Sequence, residues 1–231
     1  MMSKFDRTIS LFGLEKFKII EKTKVLIFGI GGVGGYVAEA LARSGIKNFC
    51  LVDGDVVSES NINRQIIATT KTVGKKKVLA MKERLLEINP EITVETKDIF
   101  YKPGCEDIDF KEYDYIVDAI DMVSSKLDII EKASKLNKKI ISAMGAGNKI
   151  KTEPFIVADI FDTKVCPLAK VIRKELKERG VEKLKVVYSE EKPFNSSKDE
   201  NGKRVPSSNS YVPGIAGLTM AGEIILDIIK D

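Results

Sequence analysis

Short apolar runs alternate with longer segments of helical periodicity through the first two thirds of the chain. Lys24-Val25-Leu26-Ile27-Phe28 is a β-branched and aromatic run ending at Gly29, and Val33 to Arg43 then reads as a helix closed by Gly45. Asn48 to Asp53 reads as a second buried strand. Val78, Met81, Leu85 and Ile88 recur at helical spacing within Gly74 to Asn89, Pro90 ends that helix, and Ile92 to Lys97 alternates as a strand does. A strand over Tyr113 to Val117, a helix over Ser125 to Asn137 and a strand over Lys139 to Ala143 repeat the scheme. Strands separated by helices imply an α/β fold, a Rossmann-like doubly wound and mostly parallel sheet.

The pattern changes further on. Phe155 to Ile160 and Lys185 to Ser189 read as strands, Pro167 to Arg179 as a helix begun by its proline, and Ile215 to Ile229 as an apolar helix. They form a carboxyl-terminal extension of mixed strands and helices. Glu190 to Asn209 is rich in Ser, Lys, Asp and Asn and contains Pro193 and Pro206, so it is expected to be a mobile loop. At the other end, Ile9, Phe12, Phe17 and Ile20 mark an amphipathic arm. The expected organisation is a single domain over 1–231: a helical arm at 1–23, a nucleotide-binding core at 24–150, and a substrate-side extension at 151–231 containing the mobile loop 190–209.

Composition removes several alternatives. A chain of 231 residues with 43% hydrophobic content can bury a full core. Its formal charge of +4 permits a nucleic-acid partner without implying one. Three cysteines, Cys50, Cys105 and Cys166, are too widely spaced for a zinc ribbon or a disulfide framework and fit a reducing cytoplasm. The absence of histidine excludes Ser-His-Asp and Cys-His catalysis, histidine metal sites and dehydrogenases with a histidine proton donor. No stretch approaches the roughly 20 apolar residues of a membrane span, so no membrane role is expected.

Gly29-Ile30-Gly31-Gly32-Val33-Gly34 follows a strand and opens a helix, where the backbone can approach a phosphate or sugar and the helix dipole favours negative charge. Asp53, at the end of the next strand, is placed to hold ribose hydroxyls. That fingerprint alone does not separate NAD, FAD, S-adenosylmethionine and ATP. The next residues do: Asp53-Gly54-Asp55 and Ser60-Asn61-Ile62-Asn63-Arg64-Gln65 put a guanidinium where a triphosphate needs one. Lys75, Lys76 and Lys77 fall on the expected first turn of a helix, where cations oppose the dipole unless an anion lies between them. Lys77 is read as a phosphate ligand, Lys75 and Lys76 as a solvated basic face. Asp118-Ala119-Ile120-Asp121 closes the fourth strand. Asp121 is the candidate carboxylate for Mg2+, with helix capping as its alternative. An NAD oxidoreductase would leave Arg64, Lys77 and Asp121 without a task.

The ordered set Gly-Ile-Gly-Gly-Val-Gly, Leu-Val-Asp-Gly-Asp, Asn-Ile-Asn-Arg-Gln, Val-Gly-Lys-Lys-Lys and Asp-Ala-Ile-Asp resembles the ATP-binding core of ubiquitin-activating-type adenylyltransferases. The chain lacks the two Cys-x-x-Cys pairs common in the branch that activates sulfur-carrier proteins. Lys4-Phe5-Asp6-Arg7, Ala143-Met144-Gly145-Ala146-Gly147, Cys166-Pro167-Leu168-Ala169, Val186-Val187-Tyr188-Ser189 and Tyr211-Val212-Pro213-Gly214-Ile215-Ala216-Gly217 look like the tRNA threonylcarbamoyladenosine dehydratase branch. The resemblance implies ATP-dependent activation of the threonyl carboxylate of the modified adenosine, followed by cyclisation; the alternative acceptor is the carboxyl terminus of a sulfur-carrier protein. It assigns Gly29, Gly31 and Asp53 to adenosine, Asn61, Arg64 and Lys77 to the phosphates, and Asp121 to the metal, Mg2+, or the geometry of attack; Gly32 and Asp55 are further candidate cofactor-binding residues. Arg7 resembles a residue that dimers of the family insert into the neighbouring site, which implies a homodimer; its alternative is a surface arginine of the arm. Cys166 is either a reactive thiol or ordinary helix-start packing, and a sulfur-relay protein is a further candidate partner. Lys170, Arg173, Lys174, Lys177, Arg179, Lys183, Lys185 and the basic loop to Arg204 are candidate tRNA phosphate contacts, or else a charge-mixed solvated face.

Overall fold

The computed structural model describes residues 4–153, 155–194, 197–198 and 204–230. The arm is two short helices, α1 (Asp6–Phe12) and α2 (Leu14–Lys22). The core runs β1 (Lys24–Phe28), α3 (Gly34–Ser44), β2 (Asn48–Val52), α4 (Lys77–Ile88), β3 (Thr93–Lys97), β4 (Tyr115–Asp118), α5 (Val123–Lys135) and β5 (Lys139–Ala143). It continues with β6 (Ile156–Asp159), α6 (Pro167–Glu178), β7 (Lys185–Tyr188), the two-residue strands β8 (Ser197–Lys198) and β9 (Arg204–Val205), and α7 (Val212–Ile229).

Seven strands form one sheet in the order β3-β2-β1-β4-β5-β7-β6, parallel except for β6, which runs antiparallel to β7 at the edge. Because successive strand side chains point to opposite faces, the continuous apolar runs are shared between two helical layers. Val25, Ile27, Phe49 and Leu51 pack with Ile20 of α2, Val37 and Leu41 of α3, Met81 of α4 and Met220 of α7. Leu26, Phe28, Cys50 and Val52 face the other way, against Ile129 and Ala133 of α5 and the 99–113 segment. Leu127 and Ile130 of α5 join Ala169, Ile172 and Leu176 of α6 over Val186 and Tyr188 of β7. The chain reverses its direction of travel across the sheet between β1 and β4, so the crevice where such sheets bind ligands opens at their carboxyl ends.

The elements expected from periodicity are present, and the differences have local causes. α4 begins at Lys77, so Lys75 and Lys76 lie outside the helix: Val57 N–H donates to the Lys75 carbonyl and Lys77 N–H to the Asp55 carbonyl, holding those residues in a loop. α7 starts at Val212, earlier than expected, with Asn209 Oδ1 accepting from the amides of Tyr211 and Val212. On length and composition α7, with mean hydropathy 1.6, suits a membrane span, but 61% of it is buried and it packs tightly on α3, as a core helix does. Residues 195–196 and 199–203 of the expected mobile loop lie outside the described residues, whereas Ser207 is pinned to Asn148 through both its amide and its carbonyl.

Candidate active site

A cavity of about 810 Å³ occupies the crevice, within the range of small-molecule sites. It is lined by Gly29, Gly31, Gly32, Asp53, Asp55, Asn61, Arg64, Lys77 and Asp121, which brings every expected nucleotide-side residue to one place. Arg7 is exposed on α1 and does not line it.

The glycine turn is required by contact. Gly29 adopts a φ of +88°, and a Cβ there would lie 2.7 Å from the Ala119 carbonyl oxygen, so β1 and β4 could not approach with a side chain between them. A Cβ on Gly34 would lie 1.8 Å from the Gly29 carbonyl oxygen, so the first turn of α3 can sit on the strand end only as glycine.

Asp53 accepts from the amides of Ile30 at 2.7 Å and Asp55 at 2.8 Å, one on each carboxylate oxygen. Each oxygen keeps a free lone-pair direction for a ribose hydroxyl. Burial pushes this carboxyl above the ordinary aspartate range, while the nearby Lys77 ammonium and the two amides pull it back. Lys77, with its side chain 8% exposed, donates to Asp55 at 2.7 Å and retains two donors for an anion. Lys75 pairs with Glu83 at 2.8 Å and Lys76 with Asp98 at 3.1 Å, as expected of a solvated basic face.

Arg64 Nη1 donates to the Ser60 carbonyl and to Asn63 Oδ1, both at 2.9 Å, which fixes the plane of the guanidinium while leaving further N–H groups free. Asn61 Oδ1 accepts from the Ser58 amide and closes a one-turn helix, leaving its amide hydrogens for a ligand. Asp121 is exposed on the cavity wall, and α5 is capped by Met122 without a side-chain bond, so neither Asp118 nor Asp121 is a helix cap. Asp118 is instead fully buried against Lys126 at 2.7 Å.

Some lining residues escaped the sequence. Gln65 is 6% exposed and its Oε1 is buried without a partner, an acceptor that a bound ligand's donor can satisfy. It sits beside Arg64 in the motif, and only its burial distinguishes it. Phe100 and Met122 are 62% and 51% exposed at the same cavity and offer an apolar wall suited to a planar base. On the far side the wall is Met144 to Gly147, Leu168 and Pro206 to Ser208, so part of the expected mobile loop is cavity wall. Cys166 precedes α6 as its N-cap residue, buried and without lining the cavity; a Cβ on Gly145 would lie 3.9 Å from its Sγ.

The basic face is narrower than its lysines and arginines suggest. Arg173 bonds Thr163, Arg179 pairs with Glu131 and Glu175, Lys174 reaches Glu178 at 3.9 Å, and Lys185 is held by Glu223 and Asp227. Lys170, Lys177 and Lys183 are exposed and have no ion pair among the described residues.

Comparison with known proteins agrees with this geometry. The model of the ThiF family matches residues 5–230. The tRNA threonylcarbamoyladenosine dehydratase of Bacillus subtilis is 38% identical, with all of this chain and 96% of that protein covered. The solved structure of the Escherichia coli tRNA N6-threonylcarbamoyladenosine dehydratase TcdA in complex with AMP is 30% identical with a TM-score of 0.88, covering 98% of this chain and 94% of that one. The same enzyme in complex with ATP gives 29% and 0.87 over the same shares. From its glycine turn to its last helix, the chain belongs to the ThiF family, in the branch of the tRNA threonylcarbamoyladenosine dehydratases.

Proposed function

We propose that this protein is an ATP-dependent dehydratase that cyclises N6-threonylcarbamoyladenosine in tRNA by adenylylating its carboxylate. The observation that carries the reading is the convergence of the glycine turn, Asp53, Arg64, Lys77 and Asp121 on one cavity at the carboxyl edge of the sheet. It is supported by the relatives, named as dehydratases of this modified nucleoside and solved with AMP and ATP.

Asp53 holds the ribose, the amides of the glycine turn and the start of α3 face the phosphates, and Phe100 with Met122 borders the base. The substrate carboxylate is ionised at neutral pH and needs no base to attack the α-phosphorus. As the bond to pyrophosphate breaks, Arg64 and Lys77 take up the developing charge, Lys77 exchanging part of its bond to Asp55 for phosphate oxygens. The carbamoyl group then closes on the acyl carbon, one former carboxylate oxygen leaves with AMP, and the base has lost the elements of water.

The described residues include no cluster of three or more Asp, Glu, His or Cys able to hold a metal by themselves. That donor set suits Mg2+, which typically takes one or two carboxylates together with phosphate oxygens and water; Asp121 is the carboxylate in reach, and the ion would neutralise the pyrophosphate. Arg7 completes the site from the second subunit of a homodimer. The three free cysteines and a tRNA substrate suit a cytoplasmic setting.

The test is pyrophosphate release from ATP and Mg2+ with tRNA carrying threonylcarbamoyladenosine, against unmodified tRNA. Release that requires the modified tRNA and falls at least about 10²-fold in Arg64→Ala is the expected result. Release independent of the modification would overturn the dehydratase reading and favour a carrier-protein acceptor.

A further inference from the structure

Lys126 lies in the first turns of α5, and its side chain and that of Asp118 are both 0% exposed. The ammonium donates to Asp118 Oδ2 at 2.7 Å, Ser142 Oγ at 3.1 Å and the Ala143 carbonyl at 2.9 Å, which uses all of its hydrogens. Ser142 Oγ in turn donates to Asp118 Oδ2 at 2.6 Å, and the Ile120 amide approaches Asp118 Oδ1 at 3.4 Å.

A buried ion pair is a poor source of stability, because desolvation of the two charges offsets their attraction. Position explains it better. The pairing of β4 with β5 ends at Asp118 opposite Ser142. Past that rung the chain leaves the sheet as 119–122 on one side and, after Ala143, as 144–147 on the other, and both segments line the cavity. The network therefore stands where the pairing of β4 with β5 stops and two walls of the site diverge, Ala119 still bonded to β1 and Met144 to β7 through their amides. The Asp118 end stands at the foot of the segment bearing Asp121, and the Ser142 and Ala143 end at the foot of the opposite wall.

We propose that Lys126 is a positioning residue: its ammonium sets the separation and angle of the Asp121 segment and the 143–147 segment. What Asp121 does there rests on the adenylylation reading; the positioning of the two walls does not. Asp118 acts in the same network, and neither side chain touches substrate.

The decisive comparison is Lys126→Met with the double variant Asp118→Asn/Lys126→Met. The single variant leaves a buried carboxylate unpaired and is expected to lose thermal stability. The double variant removes both charges while the amide still accepts from Ser142, and its melting temperature should return to within a few degrees of the parent. If Lys126 positions the walls, the double variant exchanges its amides in 119–122 and 143–147 at least about tenfold faster while the rest of the sheet is unchanged. Its kcat for pyrophosphate release stays about 10²-fold down, with the KM for ATP much less affected. Unchanged exchange in both segments, or kcat restored together with stability, would mean a merely structural pair and overturn the proposal. Should Lys126→Met fail to fold, the double variant decides alone. A parent protein inactive on modified tRNA would count against the proposed function, whereas the exchange measurement would still decide the role of Lys126.

Discussion

Asp53 shows how one side chain is prepared for a ligand. Its two oxygens are aimed by the amides of Ile30 and Asp55, and burial raises its pKa. A carboxyl with a raised folded-state pKa binds its proton more tightly in the folded protein, so its contribution to stability is full below the unfolded value and is lost as pH rises through the folded one. Ligand binding runs the opposite way, because only the carboxylate has all its lone pairs available for ribose hydroxyls. ATP affinity should therefore weaken as pH falls toward the raised pKa, at a higher pH than an ordinary aspartate would give. Asp53→Ala should weaken ATP by about 10²-fold, equivalent to losing about 3 kcal/mol from bonds to a charged acceptor, and should flatten that pH dependence. Calorimetric titration at several pH values reads both; an Asp53→Ala variant that binds ATP like the parent would remove Asp53 from the ribose site. The placement of Asp53, Lys77 and Asp121 at the cavity was legible because each follows a strand end or opens a helix, and that of Arg64 because it sits in the polar Asn-Ile-Asn-Arg-Gln segment after β2. Lys126 was not, since an amphipathic helix gives no sign that a lysine near its start faces inward, and Gln65 was hidden because a segment outside any regular helix or strand carries no periodicity from which burial can be read.

At the scale of elements, local pattern worked where a segment's own periodicity fixes it. β1, α3, β2 and α5 were readable within a few residues because their apolar spacing lies inside the segment and, for β1 and α3, a closing glycine, Gly29 or Gly45, follows directly. The packing of 206–209 was not, because it depends on bonds from Asn148 and Asn209 to residues about sixty positions away, and the start of α7 follows from it through Asn209, whose Oδ1 accepts from the Tyr211 and Val212 amides. Glycine makes the contrast measurable. Gly34→Ala forces a Cβ into the Gly29 carbonyl and should destabilise the protein by about 3 kcal/mol or more, since backbone on both sides resists movement. Gly222→Ala, exposed in the middle of α7 with nothing within 4 Å of the added Cβ, should stabilise by up to about 1 kcal/mol through helix propensity. Urea midpoints of the two variants should move in opposite directions; equal shifts would mean that the close approach of α3 to β1 is not what the glycine turn preserves.

At the scale of the whole molecule, the cavity is built from residues of one chain, yet its assigned cations are Arg64 and Lys77 alone, for a nucleotide with three phosphates. Arg7 stands exposed on the arm, and Leu11 and Leu14 beside it are 75% and 52% exposed, an apolar surface suited to a second copy. A two-fold dimer would give each copy the other's arm. Complementation separates this from a surface role. Arg7→Ala and Arg64→Ala should each be nearly inactive alone. Mixed in equal amounts under exchange, half of the dimers are hybrid, and in each hybrid the subunit that keeps Arg64 receives an intact Arg7 from its partner, so activity should recover to roughly a quarter of the parent's. An arginine acting within its own chain gives no recovery, because every site then lacks one of the two guanidinium groups. Sedimentation of the parent protein checks the premise independently: a monomer at working concentration, fully active, would remove Arg7 from the mechanism and leave it a surface residue of α1.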